Sequence, residues 1–241
     1  TQIVGVDPPA NTIIGQNPAC ALGQDVPYTI QNNNSPANTY TWTIPGGGTI
    51  DGSNIGDTVL VDWGSNPNQY PITVTEAVEA TGCETMDTTI ISLDTVPVVT
   101  ISPTGSGTVC DGDSVQLSAT GSGAAFQWQV NGNPVPGATG SNFFAQDSGF
   151  VNVLLTDASG CADTAANSVE LIVNPLPDVT FTTSIPLPLC QGQSVTITAP
   201  DGPSKQWYRN GIPVPSATNQ SLLVSQPGFY NYLLTDANTC T

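Results

Sequence analysis

Residues 127–137 read QWQVNGNPVPG, and residues 206–216 read QWYRNGIPVPS. Matching blocks flank both stretches: VCDGDSV at 109–115 corresponds to LCQGQSV at 189–195, and GFVNVLLTDASGC at 149–161 corresponds to GFYNYLLTDANTC at 228–240. The cysteines of these blocks repeat with a period of 79 to 80 residues. Self-similarity at this period indicates tandem modules, each with its own hydrophobic core.

Within each repeat, the blocks have the pattern of strands and turns. Residues 114–119 and 194–198 alternate polar and apolar side chains, which is typical of half-buried strands. The dipeptides Asn131-Gly132 and Asn210-Gly211 tolerate positive φ and predict tight turns. The chain also contains 24 glycines and 21 prolines, so we predict an all-β protein.

Six cysteines occur in a regular order in which each pair encloses one tryptophan. The three sets are Cys20, Trp42, Cys83; Cys110, Trp128, Cys161; and Cys190, Trp207, Cys240. This order resembles immunoglobulin-like sandwiches, in which a buried tryptophan packs against a disulfide between the two sheets. The resemblance implies one disulfide per module, Cys20–Cys83, Cys110–Cys161 and Cys190–Cys240, with the three tryptophans in the cores. A zinc site is disfavoured because the chain has no histidine and no CxxC motif.

The first repeat differs from the other two by a longer interval between its tryptophan and its second cysteine. The segments YTWTIPGG at 40–47, VLVDWG at 59–64 and YPITVT at 70–75 resemble PKD-like domains, which are also β-sandwiches. A PKD-like module followed by CxGxSV, QWxxNG and LTDxxxC modules resembles the SprB-like gliding-motility adhesins and similar cargo of the type IX secretion system. That resemblance implies export and display at the cell surface.

These patterns predict how the chain is divided. Residues 1–6 are interpreted as the end of a preceding domain, followed by a PKD-like sandwich at 7–95, an immunoglobulin-like sandwich at 96–175 and a second one at 176–241 that lacks its last strand. We call the last three the first, second and third modules. Proline-containing segments join them, and proline favours extended, semi-rigid spacers.

The charge balance limits the partners. Two basic residues stand against 19 acidic ones, which gives a formal charge of −17 and disfavours binding to nucleic acid or to an anionic membrane. We therefore expect an extracellular protein at the cell surface. The expected partners are neighbouring repeats of the same chain, a surface or polysaccharide ligand, and the secretion and motility machinery of the outer membrane.

Catalysis is not expected, because triads need a histidine that the chain lacks. A pair of carboxylates remains open as an alternative among Asp51, Asp57, Asp62, Glu76, Glu79 and Glu84, although solvated surface acids are the simpler interpretation. Trp63 is expected to pack in the first module, with stacking on a sugar as the alternative. No cofactor or metal is expected; Asp111-Gly112-Asp113 leaves calcium as an alternative to a solvated turn.

The family resemblance also implies O-glycosylation at Asp-Ser/Thr pairs followed by a small or branched apolar residue. The four matching acceptors are Thr58, Thr95, Ser114 and Thr164. We therefore expect part of a long adhesin or filament stalk in surface adhesion and gliding motility. The alternative is a set of spacer or carbohydrate-binding modules of a large secreted enzyme, and the parent gene would discriminate the two.

Overall fold

The computed structural model describes residues 11–31, 38–185, 190 and 192–241. The described residues form 23 strands and no α-helix, which confirms the all-β prediction. They also contain no apolar helix of the length that a membrane span requires. The segment 1–6, interpreted above as the end of a preceding domain, lies outside the described residues, and the module boundaries stay predictions.

The described chain divides into two compact units. One takes in the described residues up to Thr100 together with Thr120–Gln127 and Val153–Ala166. The other takes in Ile101–Ala119, Trp128–Asn152 and the described residues of Asn167–Thr241. Residues of the second module therefore occur in both units.

The first module is a sandwich of two four-stranded sheets. Its strands are β1 (Thr12–Gly15), β2 (Ala19–Cys20), β3 (Val26–Gln31), β4 (Thr39–Thr43), β5 (Gly48–Asp51), β6 (Thr58–Trp63), β7 (Gln69–Ala77) and β8 (Glu84–Asp94). The sheet orders are β1-β3-β6-β5 and β2-β8-β7-β4. Strand β2 pairs parallel to the end of β8, where Cys20 lies opposite Asp94.

Both sheets of the first module bury alternate side chains in one core, as the twofold period of a strand requires. The first sheet contributes Tyr28, Val59, Val61 and Trp63, and the second contributes Trp42, Ile72, Val74, Ile91 and Leu93. Trp63 is 2% exposed, and its indole N–H donates to the Tyr28 hydroxyl at 3.1 Å. Trp63 is therefore a core residue and presents no face for stacking on a sugar.

The second module continues the strand series. Its strands are β9 (Val99–Ser102), β10 (Gly105–Cys110), β11 (Val115–Gly121), β12 (Ala125–Val130), β13 (Asn133–Pro134), β14 (Asn142–Ala145), β15 (Gly149–Thr156), β16 (Ala162–Thr164) and β17 (Val169–Asn174). One sheet has the order β14-β11-β9, and the other has β10-β17-β15-β12-β13 with β16 beside β15. Strand β10 runs parallel to β17 and places Cys110 opposite Asn174.

The third module repeats this arrangement in shorter form. Its strands are β18 (Thr182–Thr183), β19 (Val195–Thr198), β20 (Ser204–Arg209), β21 (Ile212–Pro213), β22 (Ser221–Val224) and β23 (Tyr230–Thr235). The sheets β18-β19-β22 and β21-β20-β23 share a core that includes Val195, Ile197, Trp207, Val224, Tyr232 and Leu234. Lys205 pairs with Asp201, and the Arg209 guanidinium donates to the carbonyl of Pro227, so both cations end at polar partners beside the buried Trp207.

One carboxylate is buried in the first module. Glu76 is 0% exposed; its Oε2 accepts a hydrogen bond from Asn11 Nδ2 at 2.8 Å, and its Oε1 accepts one from the Tyr40 hydroxyl at 3.0 Å. The Asn38 amide donates to the same Oε1. A buried charge is tolerated only when hydrogen bonds replace its hydration, and these donors supply them.

Replacing Glu76 with alanine is expected to leave these donors without an acceptor in a buried site. The expected loss in the free energy of unfolding is about 3 kcal/mol, the cost of leaving buried polar groups without hydrogen-bond partners. Urea unfolding measures it. Glu84→Ala is the matched control, because Glu84 is an exposed carboxylate opposite Ala77 on the same strand pair and should change stability by less than about 0.5 kcal/mol. Equal effects of the two substitutions would contradict the role of Glu76.

Candidate functional site: cysteine pairs between successive modules

The disulfides join cysteines of successive modules. Cys20 bonds to Cys161 with a Cα–Cα distance of 5.4 Å, and Cys110 bonds to Cys240 with a Cα–Cα distance of 5.5 Å. Cys83 and Cys190 have free thiols. The pairing Cys20–Cys83, Cys110–Cys161 and Cys190–Cys240 expected from the immunoglobulin resemblance is therefore wrong, as is the expectation of one disulfide inside each module.

The expected pairing fails in the first module because a long strand separates its two cysteines. In the first module, Cys20 lies beside Asp94 at the end of β8, whereas Cys83 directly precedes Glu84 at its start. The two ends of this eleven-residue strand are ten residue steps apart, which is roughly 33 Å at about 3.3 Å per residue. A disulfide needs its Cα atoms within about 7 Å, so Cys20 and Cys83 cannot bond.

The first cysteine of each of the first two modules occupies the same local site, beside the residue at which the last strand of that module ends. We call this the outgoing end. The backbone N–H of Ala21 donates to the carbonyl of Asp94 at 2.7 Å, and the N–H of Asp111 donates to the carbonyl of Asn174 at 2.8 Å. These parallel contacts fix Cys20 and Cys110 at the point where the chain passes to the next module.

In the second and third modules, the second cysteine lies at the opposite, incoming end, in a turn built around an aspartate. Asp157 Oδ1 accepts hydrogen bonds from the N–H groups of Ser159 and Cys161, both at 2.9 Å. Asp236 does the same for Asn238 and Cys240, at 2.8 and 2.9 Å. The repeated TDAS and TDAN sequences thus encode an Asx turn that presents the cysteine after the strand ends.

A further contact accompanies the first bond. The Ser159 hydroxyl, in the turn of the second module, donates to Asp94 Oδ2 at the outgoing end of the first module at 2.7 Å. Cys161 and Cys240 are each 0% exposed. These two bonded cysteines are therefore packed into the protein, which limits the access of external thiols to their sulfurs, whereas Cys20 and Cys110 are partly exposed.

The three repeated tryptophans are 0% exposed, but no disulfide lies inside their modules. Aromatic rings pack there: Phe143 stacks on Trp128 at 5.4 Å between ring centroids, and Tyr232 lies 4.6 Å from Trp207. Each indole N–H donates to a loop carbonyl, Trp42 to Gly56, Trp128 to Gly140 and Trp207 to Asn219, at 2.8 to 2.9 Å. The tryptophan thus ties one loop to each core, a role that the sequence pattern did not reveal.

The remaining sequence-derived candidates lie on the surface. Thr58, Thr95, Ser114 and Thr164 are all exposed, and their glycosylation stays a prediction.

Asp111 and Asp113, the candidate calcium ligands, are exposed in a turn that is closed by a hydrogen bond from the Asp113 N–H to the carbonyl of Cys110. The corresponding turn at Cys190 is closed by the N–H of Gln193 and contains no carboxylate. Across the part of the chain that the structure describes, no three His, Cys, Asp or Glu side chains gather in a group that could hold a metal ion.

Three acids of the first module gather at Asp25, whose backbone has a φ of 52°. The Asp25 N–H donates to Asp62 Oδ1 at 2.8 Å. Hydrogen bonding with Asp51 raises the pKa of Asp25 above its usual value, and slight desolvation and repulsion from Asp51 and Asp62 act in the same direction. The folded state therefore favours the protonated form of Asp25, and the resulting stabilisation is lost as the pH rises through the folded-state pKa.

Asp25→Asn is accordingly expected to raise the Tm at pH 7, because it removes one charge from this cluster while asparagine still tolerates the left-handed backbone. At a pH near 3 the gain should vanish, since the carboxyl of the parent chain is then protonated. Thermal unfolding at both pH values measures this, with the exposed Asp147→Asn as the control for general loss of charge. A gain of equal size at both pH values would contradict the cluster as its cause.

Comparison with known proteins finds a domain family that the first module resembles. Residues 6–92 match the PKD-like domain. Similar solved structures include fibronectin(III)-like modules of CbhA from Clostridium thermocellum, with 14% identity, a TM-score of 0.40, and coverage of 69% of this chain and 95% of that chain.

Two other similar structures contain three domains each. Three consecutive immunoglobulin domains of titin have 13% identity and a TM-score of 0.33, covering 95% of this chain and 88% of that chain. The three N-terminal domains of the outer capsid protein Hoc of bacteriophage RB49 have 15% identity and a TM-score of 0.35, covering 92% and 85%. No curated protein sequence matches the chain significantly. Likenesses this distant carry no inference about function. The chain is an all-β protein of repeated modules with disulfide bonds, and its first module matches the PKD-like domain.

Proposed function

We propose that the chain is a load-bearing segment of a secreted bacterial cell-surface repeat protein, an adhesin or filament stalk of the SprB-like type, and that it has no catalytic role. The observation that carries the proposal is the pairing of Cys20 with Cys161 and of Cys110 with Cys240. A bond between successive modules adds little to the core of either one, but it shortens the covalent path between the chain ends and so limits how far the modules separate when they are pulled apart.

Composition and compartment support the same proposal. Disulfides persist in oxidising, extracellular surroundings and are rare in the cytosol. A formal charge of −17 keeps a long array of repeats soluble and mutually repelling. The absence of histidine from the sequence and the exposed positions of the acidic residues Asp51 and Asp57 support a structural rather than a chemical role.

Deletion of the parent gene tests the proposal against its alternative, the accessory region of a secreted enzyme. Antibodies raised against this chain should label intact cells, and the deletion strain should lose the label together with attachment to surfaces under flow. Secreted polysaccharide hydrolysis should be unchanged. Loss of hydrolysis with normal attachment would favour the enzyme, and labelling only after permeabilisation would contradict surface display.

A further inference from the structure

The two free thiols, Cys83 and Cys190, stand at repeat positions whose counterparts are bonded. In all three modules the carbonyl of the first cysteine accepts a hydrogen bond from the N–H three residues further on: Gly23 to Cys20 at 3.1 Å, Asp113 to Cys110 at 2.9 Å, and Gln193 to Cys190 at 3.1 Å. Cys190 is therefore the structural counterpart of Cys20 and Cys110.

Cys83 is likewise the counterpart of Cys161 and Cys240. The carbonyl of each second cysteine accepts a hydrogen bond from the residue that opens its turn, namely Val78 for Cys83, Asp157 for Cys161 and Asp236 for Cys240, at 2.8 to 2.9 Å. The turn before Cys83 is one residue longer and has valine in place of aspartate, but it still leads out of one strand, β7, and into the next, β8.

The bonds that do form follow one rule. The first cysteine of a module pairs with the second cysteine of the module that follows it, as Cys20 does with Cys161 and Cys110 with Cys240. Under this rule Cys190 requires the second cysteine of a module placed after the third. Cys83 requires the first cysteine of a module placed before the first.

We propose that Cys190 and Cys83 are complementary linking sites, and that each forms a disulfide with the complementary cysteine of another module of this repeat type. The result is a continuous series of disulfides between successive modules, which we call the disulfide ladder. Cys190 is exposed, whereas its bonded counterparts Cys20 and Cys110 are only partly exposed. Cys83 is partly exposed, whereas its bonded counterparts Cys161 and Cys240 are 0% exposed. That difference is expected if docking of a further module covers these positions. A second copy of this chain carries the required partners, because Cys83 of one copy is a second cysteine and Cys190 of another is a first cysteine.

The bond forms by exchange with a small disulfide such as glutathione disulfide. The Cys190 thiolate attacks one sulfur and releases one glutathione thiolate; the Cys83 thiolate of another copy then attacks the mixed disulfide and releases the second. Two protein thiols and one glutathione disulfide become one protein disulfide and two glutathione thiols. The ladder does not depend on the adhesin proposal, since it follows from the cysteine positions alone.

Two single-thiol variants of the full chain test this proposal. Cys83→Ser keeps only the Cys190 thiol and Cys190→Ser keeps only the Cys83 thiol, and neither substitution touches a bonded cysteine. The two variants, distinguished by mass, are mixed in equal amounts in a glutathione redox buffer and the dimers are counted by non-reducing mass spectrometry. The mixed dimer is expected to exceed the two symmetric dimers together by at least tenfold.

Several results would overturn the proposal. Random oxidation of exposed thiols gives a 1:2:1 mixture of dimers, and that distribution shows no complementarity. Failure to form mixed dimers, or a Cys83–Cys190 bond within one copy of the unmutated chain, is equally incompatible with it. The variant with both serines is the control: it should stay monomeric and keep its two disulfides in peptide mapping.

Discussion

Reduction of both disulfides is expected to lengthen the fully stretched chain from about 260 Å to about 840 Å, at about 3.5 Å per extended residue. In the oxidised chain, force applied at the two ends follows the shortest covalent path. That path runs through residues 1–20, crosses to Cys161, returns along the chain to Cys110 and crosses to Cys240. Only about 75 residues therefore carry the load once the modules unfold, and the others stay in closed loops. Single-molecule pulling with and without a reductant measures both lengths.

Cys83→Ser is the variant that distinguishes the observed pairing from one disulfide in each module. Because Cys83 has no bond within the chain, its replacement should leave the oxidised length at about 260 Å. A Cys20–Cys83 bond would instead be lost, and the stretched length would rise to about 500 Å. Such a rise would refute the intermodule pairing and with it the load-bearing argument.

The second large effect is expected at the tryptophans. Trp128→Ala should lower the free energy of unfolding of its module by about 3–5 kcal/mol, the usual cost of removing a large buried aromatic side chain. The substitution removes the stacking on Phe143 and the hydrogen bond to the carbonyl of Gly140, so both the core and the loop lose a contact. Trp207→Ala should behave alike, because it has the corresponding bond to Asn219.

Urea unfolding of the oxidised chain measures the loss. Phe144→Ala is the matched control, since Phe144 neighbours Phe143 on β14 but points outward and is 59% exposed. Its replacement should cost less than about 0.5 kcal/mol. Trp128→Phe should fall between the two, because it keeps most of the buried apolar surface and loses the N–H donor. If Trp128→Ala shifts the unfolding midpoint no more than Phe144→Ala does, the core assignment is wrong.

The fold could be predicted where the signal is local. Alternation in VQLSA and VTIT gave strands β11 and β19, and Asn131-Gly132 and Asn210-Gly211 gave turns with positive φ at both residues. Trp63 was expected in the core because apolar residues precede it on β6, and it lies there. These features depend on neighbours in the sequence, which is why the pattern is sufficient.

The disulfide pairing depends on residues far apart in the sequence, and the prediction taken from the resemblance to immunoglobulin domains was wrong. In that fold the paired cysteines lie within facing strands, whereas Cys110 precedes the alternating residues of β11 and Cys161 follows the turn after β15. The buried positions inside those strands belong to Leu117 and Val153. The position of Cys110 before one alternating segment and of Cys161 after another was visible in the sequence, and it could have indicated pairing between modules. The loop carbonyls that accept from the tryptophans could not be inferred, because they depend on how each loop returns to its core.

The overlap of the two disulfide loops bears on survival outside the cell, where proteases cut exposed peptide bonds. A single cut between Cys20 and Cys161 leaves both fragments joined through the first bridge, and a single cut between Cys110 and Cys240 leaves them joined through the second. The two ranges together cover all residues from 20 to 240. Even one cut before Cys110 combined with one after Cys161 releases nothing, because the middle fragment holds a cysteine of each bridge. The chain can therefore be nicked at any one bond in this range and remain a single covalent molecule.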